Sequence, residues 1–294
     1  MSRRVVVLTN PSKPDAVEAR QIVERIVREH AELVASEDAS LDGPPGAASD
    51  AEIAVVLGGD GTLLTQTRRL LDAGLTMLGI NFGKLGFLAE FDVESFEKQA
   101  PAILDGGAIT RTLGLLHVEL VRNGSTAFAQ EAINECVVTA GPPFRMIDLA
   151  LRVDQGRGPV VSGDGMIVSS PIGSTAYTLS AGGPILAPDA DAMAVTPIAP
   201  HSLSFRPFVV AGCSTVEIEL LRINDDECGG GTTLVLDGQI PTRVQAGDRV
   251  RVSRSDKTIR SIRNPEADYW QTLIDKLNWA LPPTPRGHGR NHDD

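Results

Sequence analysis

The apolar run Ile53-Ala54-Val55-Val56-Leu57 passes directly into Gly58-Gly59-Asp60-Gly61-Thr62 and then into a helical pattern, and no other stretch constrains this chain as much. Such an apolar run bounded by glycine reads as a strand buried on both faces, the kind found in parallel sheets. Open α/β sheets bind their ligands at the carboxyl ends of such strands. Glycines there let a backbone approach phosphate oxygens, and the following helix amino terminus favours anions. A carboxylate in that loop repels the phosphates it faces, so Asp60 needs a reason to be there. It can orient or deprotonate an attacking hydroxyl, or help to hold a metal that neutralises the phosphates. The structural alternative is a glycine turn whose aspartate caps the helix.

The flanks agree with an α/β unit. Val5 to Leu8 reads as a first buried strand and Asn10 to Pro14 as the turn leaving it. Ala19, Ile22, Val23, Ile26 and Val27 mark an amphipathic helix. Residues 36–50 are rich in Ser, Asp, Gly and Pro and read as a loop, followed by the strand at 53–57, a helix over 62–73 and a strand at 76–81. This alternation predicts a Rossmann-like α/β domain over residues 1–109. Near residue 110 the texture changes to short alternating strands, with Asn123-Gly124 as a hairpin signal. Runs at 215–221, 232–236 and 249–252 are also strand-like, which predicts a β-rich, β-sandwich-like domain over 110–265. Residues 266–281 are expected to pack back on the first domain as a closing segment, and 282–294 to be a disordered tail.

A net charge of −11 argues against a general binder of nucleic acid or anionic membrane. The amino terminus is too short and too quickly polar for a signal peptide, and no later apolar run reaches membrane-spanning length. The three cysteines, Cys136, Cys213 and Cys228, lack a metal-ligand spacing and suit free thiols in a reducing cytosol. A cytoplasmic protein with no nucleic-acid or membrane partner is expected.

Other segments carry candidate chemistry. Ser170-Pro171-Ile172-Gly173-Ser174-Thr175-Ala176-Tyr177 is a small, hydroxyl-rich loop ending in one of only two tyrosines, whose ring suits packing on a nucleobase. Asn134-Glu135 places an amide beside an acid, a pair that suits sugar hydroxyls and equally suits a solvated edge strand. Asp164, between Gly163 and Gly165, has a tight-turn alternative. Arg145 and Arg206 are candidate phosphate ligands against a default of surface solvation. His117 and His201 lack a partner pattern for metal or triad chemistry and read as structural. Gly79-Ile80-Asn81-Phe82-Gly83-Lys84-Leu85 is one residue short of a P-loop, with Leu85 where Ser or Thr would hold magnesium. A dinucleotide fingerprint is missing from both strand-to-helix turns, so neither a Walker-type NTPase nor a dehydrogenase is indicated.

Taken together, these segments resemble the NAD kinases in order and spacing. The resemblance is carried by Gly58–Thr62, Asn134-Glu135 and Pro171–Tyr177, by Gly79–Leu88 and Ser180–Pro184, and by Pro200–Pro207 and Lys276-Leu277-Asn278-Trp279. It runs from about residue 5 to 280. The Gly-Gly-Asp-Gly loop alone occurs also in diacylglycerol kinases and phosphofructokinases, whereas its combination with Asn-Glu and Gly-Ser-Thr-Ala-Tyr is specific. The resemblance implies transfer of the γ-phosphoryl group of ATP to the 2′-hydroxyl of the adenosine ribose of NAD. Asp60 would orient that hydroxyl and accept its proton, with Gly59 and Gly61 leaving room for phosphates. Asn134 and Glu135 would hold the ribose and adenine side. Thr175, Ala176 and Tyr177 would form the adenine pocket, with Ser180 nearby. Asp164 would contact the nicotinamide end, Gln239 would form a further wall, and Arg145 is retained as a nucleotide contact. Magnesium would travel with ATP, with no dedicated protein metal site. A homodimer or homotetramer is implied, because the family's site is completed across subunits.

Two departures bear on affinity. Ile172 stands where the family usually has Thr or Ser, which removes a hydroxyl that could face the adenine pocket. Thr65 stands where many bacterial members have Arg, leaving a phosphate contact absent or supplied elsewhere, by Arg68 or Arg145. Two rivals remain open at this level. A lipid kinase shares the glycine loop, but would need a greasy acceptor groove and a membrane-facing surface, and no basic amphipathic segment is present. A non-catalytic NAD(P)-binding regulator would gain nothing from a carboxylate facing phosphate.

Overall fold

Strands and helices alternate through the first hundred residues of the computed structural model, which describes residues 2–12, 14–40, 46, 50–82, 86–225, 230–277 and 279. The order is β1 (Arg4–Thr9), α1 (Pro14–His30), β2 (Glu32–Asp38), β3 (Ile53–Leu57), α2 (Asp60–Arg69), β4 (Thr76–Ile80) and α3 (Val93–Ala102). The four strands pair in parallel, and β3 and β4 are buried at every residue. Because side chains alternate across a strand, Val5, Val7, Val55 and Leu57 face one layer with Val23, Ile26, Phe96 and Ala100. Val6, Leu8, Ala54 and Val56 face the opposite layer with Leu63 and Leu64 of α2. Helices therefore cover both faces, as the parallel pattern requires.

Local departures from the sequence reading have simple causes. Ser36, Glu37 and Asp38, expected in a loop, complete β2 by pairing with Val7, Leu8 and Thr9. Main-chain pairing to β1 outweighs the polar composition of an edge strand. The expected helix over 62–73 starts earlier, at Asp60, and ends at Arg69, with a separate 3₁₀ turn over Leu71–Ala73. α3 was not anticipated; Asp92 and Ser95 cap it reciprocally. Gly83-Lys84-Leu85, Cys228 and the expected tail at 282–294 lie outside the described residues.

The second half supplies β5 (Thr110–Arg122), β6 (Ser125–Ala132), β7 (Glu135–Thr139), β8 (Ile147–Val153), β9 (Gly156–Gly163) and β10 (Gly165–Ser169). It continues with α4 (Tyr177–Ser180), β11 (Ala192–Ile198), β12 (Phe208–Ala211), β13 (Val216–Arg222), β14 (Thr233–Leu236), β15 (Ile240–Arg243), β16 (Arg249–Ile262) and α5 (Tyr269–Leu277). Asn123 and Gly124 turn the β5–β6 hairpin with φ of 51° and 79°, the geometry of a type I′ turn. β16 is longer than its apolar stretch suggested. Its amino-terminal part pairs antiparallel with β13 and its carboxyl-terminal part pairs parallel with β4, so one ten-stranded sheet joins both halves of the chain. A six-stranded antiparallel sheet, β12-β11-β10-β7-β14-β15, packs on its antiparallel portion. Leu116, Val118, Leu149, Ile218 and Val250 of the large sheet meet Val138, Met166, Val168, Met193 and Leu234 of the small one in a single core. That face-to-face packing is the sandwich character expected of the β-rich part.

Candidate functional site

Asp60 opens α2 at the carboxyl end of β3, and its carboxylate is held from the side by another loop. Oδ1 accepts from the Leu88 and Ala89 amides at 3.1 and 3.0 Å, and Oδ2 accepts from Phe87 at 2.9 Å. A Cβ at Gly86 would lie 2.0 Å from Asp60 Oδ1, so only glycine lets this loop lie against the carboxylate. Lys276 of α5 places Nζ 3.7 Å from Oδ2, and the Asp60 side chain keeps 28% of its surface exposed. At Gly61 an added Cβ would meet nothing within 4 Å, and at Gly59 only Asn81 Oδ1 at 3.9 Å. The helix amino terminus is thus open to a ligand, as an anion site requires.

Asn134 and Glu135 lie at the start of β7 and are gathered by a second aspartate. Asp237, in the turn between β14 and β15 at φ 49°, accepts from the amides of Ile133, Asn134 and Glu135 at 2.9, 2.7 and 3.0 Å. Its side chain is fully buried and is ion-paired with Arg68 Nη2. Arg68 Nη1 and Thr65 Oγ1 then reach Gln239 Oε1 at 2.9 and 3.3 Å. The helix that begins with Asp60 is therefore bolted to the segment carrying Asn134 and Glu135. Arg68 is consumed by this network, and Thr65 shares its partner.

Two side-chain oxygens at this junction have no partner among the described residues: the buried Asn134 Oδ1 and Glu135 Oε2. The Glu135 carboxyl receives the Tyr177 amide, yet burial, followed by the nearby Asp237 charge, pushes its pKa up to about 8. Arg68 Nε in the same network is also buried without a partner, and such a cluster of unpartnered buried polar atoms points to a ligand that completes it.

The Ser170–Tyr177 segment is stitched to the same place. The Ser170 amide donates to Asn134 O at 2.9 Å and its hydroxyl to Ile133 O at 2.6 Å. A Cβ at Gly173 would sit 2.1 Å from Asn134 O, so glycine permits this contact. Thr175 shares a small cleft with Phe87, Leu88 and Tyr269, which places it beside the loop that holds Asp60. Tyr177 begins α4 with 43% of its surface exposed, and Ser180 ends that helix, also exposed. Ala176 immediately precedes Tyr177, linking the 3₁₀ turn to α4. Ile172 is buried in the core shared with α2, so the position that departs from the family pattern serves packing.

Asp164 and Arg145 are not brought to this cluster within one chain. Strands β7 and β10 pair with Glu135 opposite Ser169 and Thr139 opposite Gly165. Asp164 therefore lies at the far end of β10, about 16 Å along the strand from Ser169. It is exposed, and its carbonyl accepts from the Ala140 amide. Arg145 is exposed in the same end region, its carbonyl accepting from Asn224. Arg206 turns its guanidinium onto the carbonyls of Leu203 and Phe205. His117 sits 3.4 Å from Glu131, away from the cluster on β5.

Sequence reasoning gave no role to Asp237 and Lys276, and it offered Arg68 as a phosphate contact where the structure pairs it with Asp237 and Gln239. Asp237 precedes a glycine between two apolar runs, which signalled a turn and concealed a hub. Lys276 stands seven residues after Tyr269 and three after Leu273, so all three share one helix face, a spacing visible in the sequence. Among the described residues no group of three or more His, Cys, Asp or Glu side chains could hold a metal ion.

The comparisons with known proteins agree along nearly the whole chain. Residues 8–108 match the model of the ATP-NAD kinase N-terminal domain, and residues 133–264 that of the ATP-NAD kinase C-terminal domain. The NAD kinase of Rhodopirellula baltica is 35% identical over 94% of this chain and 87% of its own length. That of Geotalea daltonii is 38% identical over 78% of this chain and 79% of its own. Among solved structures, yeast NADH kinase complexed with NADH has the same fold, with a TM-score of 0.82 at 23% identity, covering 95% of this chain and 88% of that one. An NAD kinase from Archaeoglobus fulgidus in complex with ATP gives a TM-score of 0.72 at 25% identity, covering 94% and 98%. On this evidence the chain belongs to the ATP-NAD kinase family of phosphotransferases.

Proposed function

We propose that the protein transfers the γ-phosphoryl group of ATP to the 2′-hydroxyl of the adenosine ribose of NAD, with Asp60 orienting that hydroxyl and taking its proton. The observation that carries this reading is the pair of unpartnered buried side-chain oxygens, Asn134 Oδ1 and Glu135 Oε2, on a segment tied to the helix that Asp60 begins. Ribose hydroxyls both donate and accept, so they can partner the amide oxygen and the Glu135 carboxyl in either protonation state. Asp60 Oδ1 already has two amide donors, whereas Oδ2 has one, so Oδ2 is the oxygen left for the acceptor hydroxyl. Thr175, Ala176 and Tyr177 line the adenine side, Ser180 borders it, and Gln239 closes the wall next to α2. ATP brings its own magnesium as part of that substrate. Positioning and charge neutralisation then carry most of the catalysis.

The separation of Asp164 and Arg145 from this cluster supports a homo-oligomeric enzyme in which a second copy brings them to the nicotinamide end. The free thiols of Cys136 and Cys213 suit action in the cytoplasm. Among the described residues no helix is long and apolar enough to cross a membrane.

The test is NADP formation from NAD and MgATP by wild type and Asp60→Asn. A loss of about 10²- to 10⁴-fold in kcat is expected, the usual weight of a positioned base. An unchanged mutant rate would remove Asp60 from the chemistry. A wild type inert on NAD would replace catalysis by nucleotide binding alone.

A further inference from the structure

A base that faces phosphate sets two negative groups against each other at the moment of transfer. Arg68 does not relieve this, since it is committed to Asp237 and Gln239. Lys276 does stand beside the carboxylate. Its Nζ is 3.7 Å from Asp60 Oδ2 and 4.8 Å from the centroid of the Phe87 ring, and Phe87 is the residue whose amide binds the same oxygen. Its helix is firmly seated: Leu273 is fully buried, the Tyr269 hydroxyl donates to Leu186 O at 3.1 Å, and the Tyr269 and Phe87 rings lie 6.1 Å apart. The Lys276 side chain retains 26% of its surface, so it is not sealed in the interior.

We propose that Lys276 is a further functional cation of the phosphoryl-transfer centre, compensating Asp60 and standing beside the oxygen that receives the acceptor proton. This rests on the reading that Asp60 meets the acceptor hydroxyl. A hydroxyl donating to Oδ2 lies about 2.7 Å from it, so hydroxyl and ammonium are neighbours on one oxygen. As the hydroxyl proton passes to Oδ2, its oxygen forms the new bond to the γ-phosphorus. The bond from that phosphorus to the bridging oxygen breaks, and ADP leaves with the electron pair. Lys276 exchanges no proton in this sequence; its fixed charge acts on the equatorial oxygens in transit, where an oriented cation is most effective. The flexible four-carbon stem lets the ammonium close the remaining distance.

The experiment uses the full chain with NAD and MgATP, comparing wild type with Lys276→Met, Lys276→Arg and Lys276→Ala. Met keeps the apolar stem over Phe87, and thermal melting checks each fold. Lys276→Met is expected to lose about 10²-fold in kcat, with KM for NAD within about threefold of wild type. Lys276→Arg should regain about tenfold over the Met variant, and added ethylammonium should restore Lys276→Ala saturably. A Met variant within about threefold of wild-type kcat would overturn the proposal. So would Arg and Met variants equally impaired, with raised KM for NAD and no response to ethylammonium, because that pattern describes a residue that only docks α5. Asp60→Asn measured in parallel keeps the two readings separable: its full activity would sink the base, whereas the ethylammonium response reports on the lysine alone.

Discussion

Two aspartates in this molecule are held in the same way and differ in what is left free. Asp60 accepts from three successive amides of residues 87–89, and Asp237 accepts from three successive amides of residues 133–135. Each also faces a cation. The Asp237 side chain is completely buried and bonded directly to Arg68, whereas Asp60 stays partly exposed with Lys276 at 3.7 Å. A buried carboxylate filled by three amides and one nitrogen of a permanently charged guanidinium is a structural clamp. One left with an open lone pair and an ammonium 3.7 Å away can still take a new partner. Access and the identity of the cation, more than the amide cradle itself, separate the clamp from the carboxylate proposed to react.

The comparison breaks most visibly at Asp237. Asp237→Ala strands three amides and the Arg68 guanidinium in the interior, and places alanine at a positive φ. The expected cost is about 3–5 kcal/mol of stability, readable as the midpoint shift in urea unfolding, whereas Asp60→Asn should move that midpoint little. Equal midpoint shifts for the two variants would contradict the division between the clamp and the carboxylate proposed to react. A smaller effect on stability, about 1–3 kcal/mol, is expected from Gly86→Ala, because its methyl would meet the Asp60 carboxylate 2.0 Å away and push the loop off. Turnover should fall more than stability in that variant. Wild-type kcat in Gly86→Ala would show that the amide cradle has no part in positioning Asp60.

Much of this was legible in the sequence, for reasons that differ by region. The parallel half was readable because fully buried strands leave apolar runs such as 53–57, and because Gly58–Thr62 marks where the chain turns. β2 was not, since Glu32–Asp38 is a polar edge strand held by its pairing to β1. The length of β16 was hidden because Arg254 to Lys257 interrupts its pattern, with a register shift against β5 at the same place. Asp60, Asn134, Glu135 and Thr175 were identifiable as a group because each sits in a short polar or glycine-rich interruption. Asp237 and Lys276 act through contacts 102 and more residues away, such as that from Asp237 to Glu135, and no local pattern reports a partner at such separation.

Glu135 sharpens the comparison from the other side, because it carries a carboxyl that the Asp237 clamp forces into a poor place to ionise. Its pKa is raised from 4.5 to about 8, first by burial and then by the Asp237 charge. Between those two values the folded chain holds a proton that the unfolded chain has lost, so stability falls as pH rises through the window from about 4.5 to about 8. Glu135→Gln removes this titration while keeping the shape of the side chain. The variant should match wild type near pH 4 and gain on it steadily, by about 4 kcal/mol at pH 8, in urea unfolding followed across that range. A constant offset at every pH would mean that Glu135 is not protonated by the fold. The same substitution leaves Asn134 and the Asp60 cradle in place, so NAD affinity should weaken by about tenfold or less while the stability gain persists, and the two readouts together separate what the buried acid costs the fold from what it gives the ligand.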